Sequence, residues 1–131
     1  MQVISDEKDI MALKNIIMQS VALTTQKVRS CQDAMSVIEF MFELRFHKLG
    51  HDPIEHTALN FVEQLNQTFS DLVVLEGARY LVHRYPGMKF NLHFGTESGF
   101  DIESEDGSVI AECFAVTTIK SNNKLLKDSK K

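Results

Sequence analysis

The 131 residues are 44% hydrophobic and 24% charged, the balance of a single globular domain, which excludes disordered and fibrous classes. No apolar run reaches the roughly 18 residues of a membrane span. The polar opening MQVISDEKDI does not resemble a secretory signal, and Cys31 and Cys113 are too isolated for a disulfide framework or a zinc site. A net charge of −4 and a pI near 5.7 argue against nucleic-acid binding by the surface as a whole; a cytoplasmic protein with no membrane partner is expected.

The first half reads as helix. Ile10, Leu13, Ile16, Ile17, Val21 and Val28 recur at three- and four-residue steps, which makes one apolar face. Ser5 or Asp6 is placed to cap its start. A second apolar run holds Ala34, Val37, Ile38, Met41, Phe42, Leu44 and Leu49, and Gly50 is suited to end it. Residues 1–50 are therefore expected to form an N-terminal helical region and residues 51–131 a second unit. Pro53, with Asp52 as cap, predicts the start of a third helix through Ile54, Leu59, Val62, Leu65 and Phe69. Ser70 caps its continuation or a fourth helix, which ends at Pro86-Gly87.

Beyond Gly87 the period shortens to two. Phe90, Leu92 and Phe94 alternate with Asn91 and His93, which predicts a strand over Lys89–Phe94. Phe100–Glu105 and Ser108–Val116 are two further strands, separated by the hairpin dipeptide Asp106-Gly107. A Lys-rich helical pattern starts near Asn122 and stops at Lys131 before it buries a face, so either a fraying tail or a truncated end is expected. The expected fold class is α+β: an N-terminal helical region, a three-stranded antiparallel meander and a C-terminal helix.

With Asp106-Gly107 at the centre of a two-residue turn, Glu103 faces Ile110, Ile102 faces Ala111 and Asp101 faces Glu112. The two carboxylates then have β-carbons about 5 Å apart, where like charges repel unless they share a proton or a cation. Mg²⁺ takes such hard oxygen ligands. Phe100, Ile102, Val109, Ala111 and Cys113 fall on a core face, and Asp101, Glu103, Ile110, Glu112 and Phe114 on the other. The plainer alternative is a chance pair of acids on an exposed edge.

The strings Gly99-Phe100-Asp101-Ile102 and Val109-Ile110-Ala111-Glu112-Cys113-Phe114, in the order helix, strand, strand, turn, strand, helix, resemble the PD-(D/E)xK nuclease superfamily. The resemblance covers about Ser70 to Lys131. It implies a restriction-endonuclease-like core, metal-dependent phosphodiester hydrolysis, Mg²⁺ or Mn²⁺ as cofactor and DNA as partner. Asp101 matches the motif's metal-binding Asp, and Glu112 its second acid. Glu76 corresponds to the acid that the preceding helix often adds. The motif's Lys position is Phe114, a departure from the pattern. Some members place that Lys on the following helix, which makes Lys124 the third catalytic candidate, with Lys120, Asn122, Asn123 and Lys127 toward the nucleic acid. Such nucleases often cleave as dimers, and the surplus apolar surface of the first helices is expected to form a homodimer interface. A non-catalytic protein–protein interaction module with a helical dimer interface is the alternative.

His47 and His51 are four residues apart, but Gly50 and Pro53 interrupt any shared helix, so structural roles are expected for them and for His56 and His83. His93 and Asn91 are candidates to line the same cleft as Asp101. Cys113 is expected to pack as a small hydrophobe.

Overall fold

In the computed structural model, which describes residues 1–95 and 99–114, the first strand comes from the polar N-terminus. Gln2–Ile4 (β1) pairs antiparallel with Phe90–Leu92 (β4), Ile4 opposite Phe90. This strand was not expected: three residues are too few to show a period. The first helix, Glu7–Ala34 (α1), opens as expected at Asp6, whose carboxylate accepts the Asp9 N–H at 3.0 Å. The Asp9 carboxylate in turn accepts the Ser5 N–H at 2.8 Å. Glu7 and Asp9 in the first turn suit the positive end of the helix dipole.

The buried stripe of α1 runs Ile10, Leu13, Ile17, Ser20, Thr24. It therefore departs from the apolar reading halfway along: Ile16 is exposed, and the buried line continues through two hydroxyl residues. These meet a polar partner. Thr24 Oγ1 donates to Gln64 Oε1 at 2.6 Å, and Gln64 Nε2 donates to Ser20 Oγ at 3.1 Å.

The second helix, Val37–Phe46 (α2), starts where the Ser36 hydroxyl caps Glu39. It stops before Gly50, which lies instead in a two-residue strand, Gly50–His51 (β2), paired with Ala58–Leu59 (β3). Between them Asp52 closes a tight turn: Oδ1 accepts the N–H groups of Ile54 and Glu55 at 2.8 and 2.9 Å, and its own N–H donates to Thr57 O at 2.7 Å. Asp52 thus caps as expected, but it caps this one turn. Pro53 is buried in that turn and starts no helix. The third helix, Phe61–Arg84 (α3), begins at the Asn60–Glu63 capping box and runs without a break through Ser70. It ends at Tyr85, just ahead of Pro86-Gly87, as expected.

Ile102–Ser104 (β5) and Ile110–Ala111 (β6) complete an antiparallel sheet in the order β1-β4-β5-β6. Ile102 lies opposite Ala111 and Glu103 opposite Ile110, the expected register. The turn is a different one. A two-residue type I′ turn needs positive φ at both centres, and among the described residues only His56 and four glycines have it. The loop instead spans four residues, Glu105 to Ser108, closed by Ser104 N–H to Val109 O at 2.8 Å, with Gly107 at φ +74°. The Asp106 carboxylate accepts from Ser108 Oγ, the Ser108 N–H and Ser104 Oγ, and these bonds hold its pKa at about 2. Since Gly107 occupies the left-handed region, Gly107→Ala is expected to lower stability by ~1 kcal/mol, read as a lower urea midpoint at unchanged slope.

One core spans residue 50. Ile4, Ile10, Leu13 and Ile17 join Val74, Leu75, Ala78, Phe90, Leu92 and Ile102 in a single buried cluster. So α1 and α3 lie over one face of the sheet, while Val3 and Ile110 stand out from the other. A Cβ on Gly77 would reach Cys113 Sγ at 3.0 Å and Ile102 Cδ1 at 3.3 Å, so this glycine is what lets α3 approach β5 so closely. Phe100, expected on the core face, is 41% exposed, because the chain joins the ladder only at Ile102. Among the described residues no helix is long and apolar enough to cross a membrane. The Lys-rich C-terminal segment and its expected helix lie outside the described residues.

Candidate carboxylate site

Asp101 sits one residue before β5 and Glu112 one residue after β6, so the hairpin register carries them to the same end of the sheet. Two backbone contacts fix Asp101. Its carbonyl accepts the His93 N–H from the β4 side at 2.9 Å, and its Oδ2 accepts the Cys113 N–H from the β6 side at 2.7 Å. Its carboxylate is thereby held against the strand that carries Glu112. The Glu112 pKa is raised, by partial desolvation, then by the Asp101 charge, then by a side-chain hydrogen bond with Asp101. Of the expected acidic site residues, Asp101 and Glu112 are the two that the structure brings together.

The same charges act on Cys113. Desolvation, with Asp101 and Glu112 adding to it, pushes its thiol up to about 11. It therefore stays a neutral thiol near pH 7, close to Gly77. His93 and Asn91 do lie in the neighbouring strand region. Asn91 is opposite Glu103, and the His93 ring lies 3.6 Å from where a Cβ on Gly99 would stand.

Glu76 is not placed beside the pair. It lines a groove between α1 and α3 with Glu7, Lys14 and Arg79. Its neighbour Gly77, one residue and about 100° further round the helix, is the residue that faces β5 and β6. Among the described residues no group of three or more His, Cys, Asp or Glu side chains is arranged to hold a metal. Asp101 and Glu112 therefore offer two protein ligands. That donor set suits Mg²⁺, which keeps several of its waters and takes one or two carboxylates. Phe114, at the motif's Lys position, is 60% exposed and supplies no cation. Lys120, Asn122, Asn123, Lys124 and Lys127 lie outside the described residues.

The histidines have other tasks. His51 Nε2 lies 3.2 Å from Ser20 Oγ, His47 Nδ1 lies 2.6 Å from Glu43 Oε1, and His83 Nε2 lies 3.1 Å from Glu7 Oε2.

Sequence reasoning missed a second acidic feature. Asp71 is 1% exposed, and its Oδ2 has no hydrogen-bond partner among the described residues. Its Oδ1 accepts from Gln67 Nε2 at 2.7 Å. Burial, with Asp52 and Glu55 adding to it against the Gln67 bond, pushes its pKa to about 7. A signal for it was present: Gln64, Asp71, Val74, Leu75, Ala78, Leu81 and Val82 form one helical stripe, and Asp71 stands in its register.

No family model matches the chain, and no curated protein or solved structure matches it either.

Proposed function

We propose that this chain is a divalent-metal-dependent phosphodiester hydrolase, or a DNA-binding protein derived from one, with Asp101 and Glu112 as the metal ligands. One observation carries the proposal: a hairpin register that sets two carboxylates at the same strand end, close enough for Asp101 to raise the Glu112 pKa. A pair of acids that repel in this way is stabilised by a cation. The resemblance of the surrounding strings to PD-(D/E)xK nucleases supplies the reaction class.

A bound Mg²⁺ or Mn²⁺ supplies an acidified water and positive charge against the phosphate. Asp101, fixed by the His93 and Cys113 backbone groups, positions one ligand oxygen, and Glu112 the other. Phe114 cannot orient the water or offset charge on the phosphate. On this reading those roles fall to a lysine of residues 117–131, Lys124 first.

Calorimetric titration of Mn²⁺ and Mg²⁺ is the test. The parent is expected to bind, and Asp101→Ala/Glu112→Ala to bind nothing while folding normally. Plasmid nicking in Mg²⁺ is expected from the parent and from no variant of either acid. Absence of binding at millimolar metal would overturn the proposal. In metal-free buffer Glu112→Gln is expected to melt no lower than the parent, because it removes a like charge.

A further inference from the structure

The helix α2 buries none of its residues. Phe40 and Leu44 are half-buried against the rest of the chain, while Val37, Ile38, Met41, Phe42 and Phe46 are exposed, Val37 at 81%. At helical spacing these five fall on one outward half of the cylinder, with the exposed Arg45 among them, its guanidinium 5.6 Å from the Phe46 ring centre; the Phe42 and Phe46 rings stack at 5.6 Å. Five exposed large apolar side chains on one short helix are a surface that proteins usually cover.

The same chain carries an apolar groove. Between α1 and α3, Met18, Val21, Phe61, Leu65, Phe69 and Leu72 line a cleft of about 250 Å³ whose walls hold no charged side chain. Along α3 the lining extends from Phe61 to Leu72, roughly 17 Å at the helical rise, and the ten residues of α2 span about 15 Å. Length and polarity therefore match, and two separate anchors of α2, Ile38 and Phe42, recur at the four-residue step that helix-in-groove docking uses.

We infer that two copies of the chain exchange α2, each laying the Ile38–Phe42–Phe46 edge of that helix into the α1–α3 groove of the other. Exchange in both directions makes a closed, two-fold interface. It also doubles the area that one docked helix buries, toward the roughly 800 Å² per partner of a stable dimer. None of these residues belongs to the carboxylate pair, so the inference stands independently of the proposed chemistry.

Sedimentation velocity across the micromolar range, on the full chain, tests it with Phe42→Glu on α2 and Phe69→Glu in the groove. Both side chains are exposed, and circular dichroism checks that each variant keeps its fold. The parent is expected to dimerise, and each variant alone to dissociate with a Kd raised roughly 100-fold or more. An equimolar mixture of the two keeps one intact docking out of two, because the Phe69→Glu copy keeps its α2 and the Phe42→Glu copy its groove, so it is expected to dimerise more weakly than the parent. A monomeric parent would overturn the inference, whether the groove then holds residues 115–131 or another protein. So would a dimer that survives Phe42→Glu, as it would if the two grooves simply met face to face.

Discussion

At about pH 8, Asp71→Asn is expected to melt above the parent by on the order of 10 °C, and near pH 4 the two are expected to melt together. The reason lies in what α3 buries. Asp71 occupies the stripe that carries Val74, Leu75 and Ala78, and it is 1% exposed. Water is removed from its carboxylate, and Asp52 and Glu55 add negative potential; only Gln67 Nε2 compensates. The folded chain therefore holds the proton up to about 7, whereas an ordinary aspartate releases it near 3.8. Between those values the folded state binds more protons than the unfolded one, so stability falls as pH rises from about 4 to about 7 and levels off above. The difference corresponds to ~4 kcal/mol. Asparagine keeps an acceptor for Gln67 and removes the charge, at the cost of a buried amide N–H₂ without a partner. Thermal melts of parent and variant across pH check this. Parallel curves would show that Asp71 is ionised in the fold throughout.

The elements that were legible in the sequence are those with a sustained local pattern. The entry of α1 at Asp6, the end of α3 ahead of Pro86-Gly87, and the register of Ile102 with Ala111 all follow from residues close together in the chain. The misjudged elements depend on distant partners. β1 is three residues long and is a strand because β4 offers an edge to it. Pro53 looked like a helix start because Asp52 precedes it, yet the Asp52 carboxylate is already committed to the Ile54 and Glu55 N–H groups of a single turn. The hairpin shows the two levels separating: the Asp106-Gly107 dipeptide pointed to the correct pairing, although only Gly107 takes positive φ and the loop is four residues long.

For the candidate site, alternation and register were enough to pair Asp101 with Glu112, because a two-stranded hairpin is a local object. Glu76 required knowing how α3 is rotated about its axis. That rotation is set by Gly77 against Ile102 and Cys113, contacts more than twenty residues apart in the chain. The buried polar groups were hidden for the same reason. Ser20, Thr24 and Gln64 read as surface residues until the fold closes them around one another.

That polar cluster makes Gly50→Ala a severe substitution, with an expected loss of about 3–5 kcal/mol. The backbone at Gly50 is not the obstacle: its φ is not among the positive values. The obstacle is Gln64. A Cβ at position 50 would overlap Gln64 Oε1, and it would also press on Gln64 Cβ at 3.3 Å, so rotating the amide alone gives no relief. Gln64 Oε1 accepts from Thr24 Oγ1 at 2.6 Å and from the His51 N–H at 3.2 Å, while Nε2 donates to Ser20 Oγ at 3.1 Å. Gln64, Thr24 and Ser20 are each at most 4% exposed. Displacing the amide strips a partner from Thr24 Oγ1, the His51 N–H and Ser20 Oγ; Ser20 keeps its contacts with His51, and each buried group left unsatisfied costs about 1–3 kcal/mol. Coupling separates this account from a general intolerance of side chains in β2. Gln64→Ala alone already removes the hub, so adding Gly50→Ala to that background is expected to cost less than ~1 kcal/mol, with the two changes strongly non-additive. Chemical denaturation of the parent, both single variants and the double variant closes the cycle. Additive losses would mean that Gly50 is required by something other than the Gln64 amide.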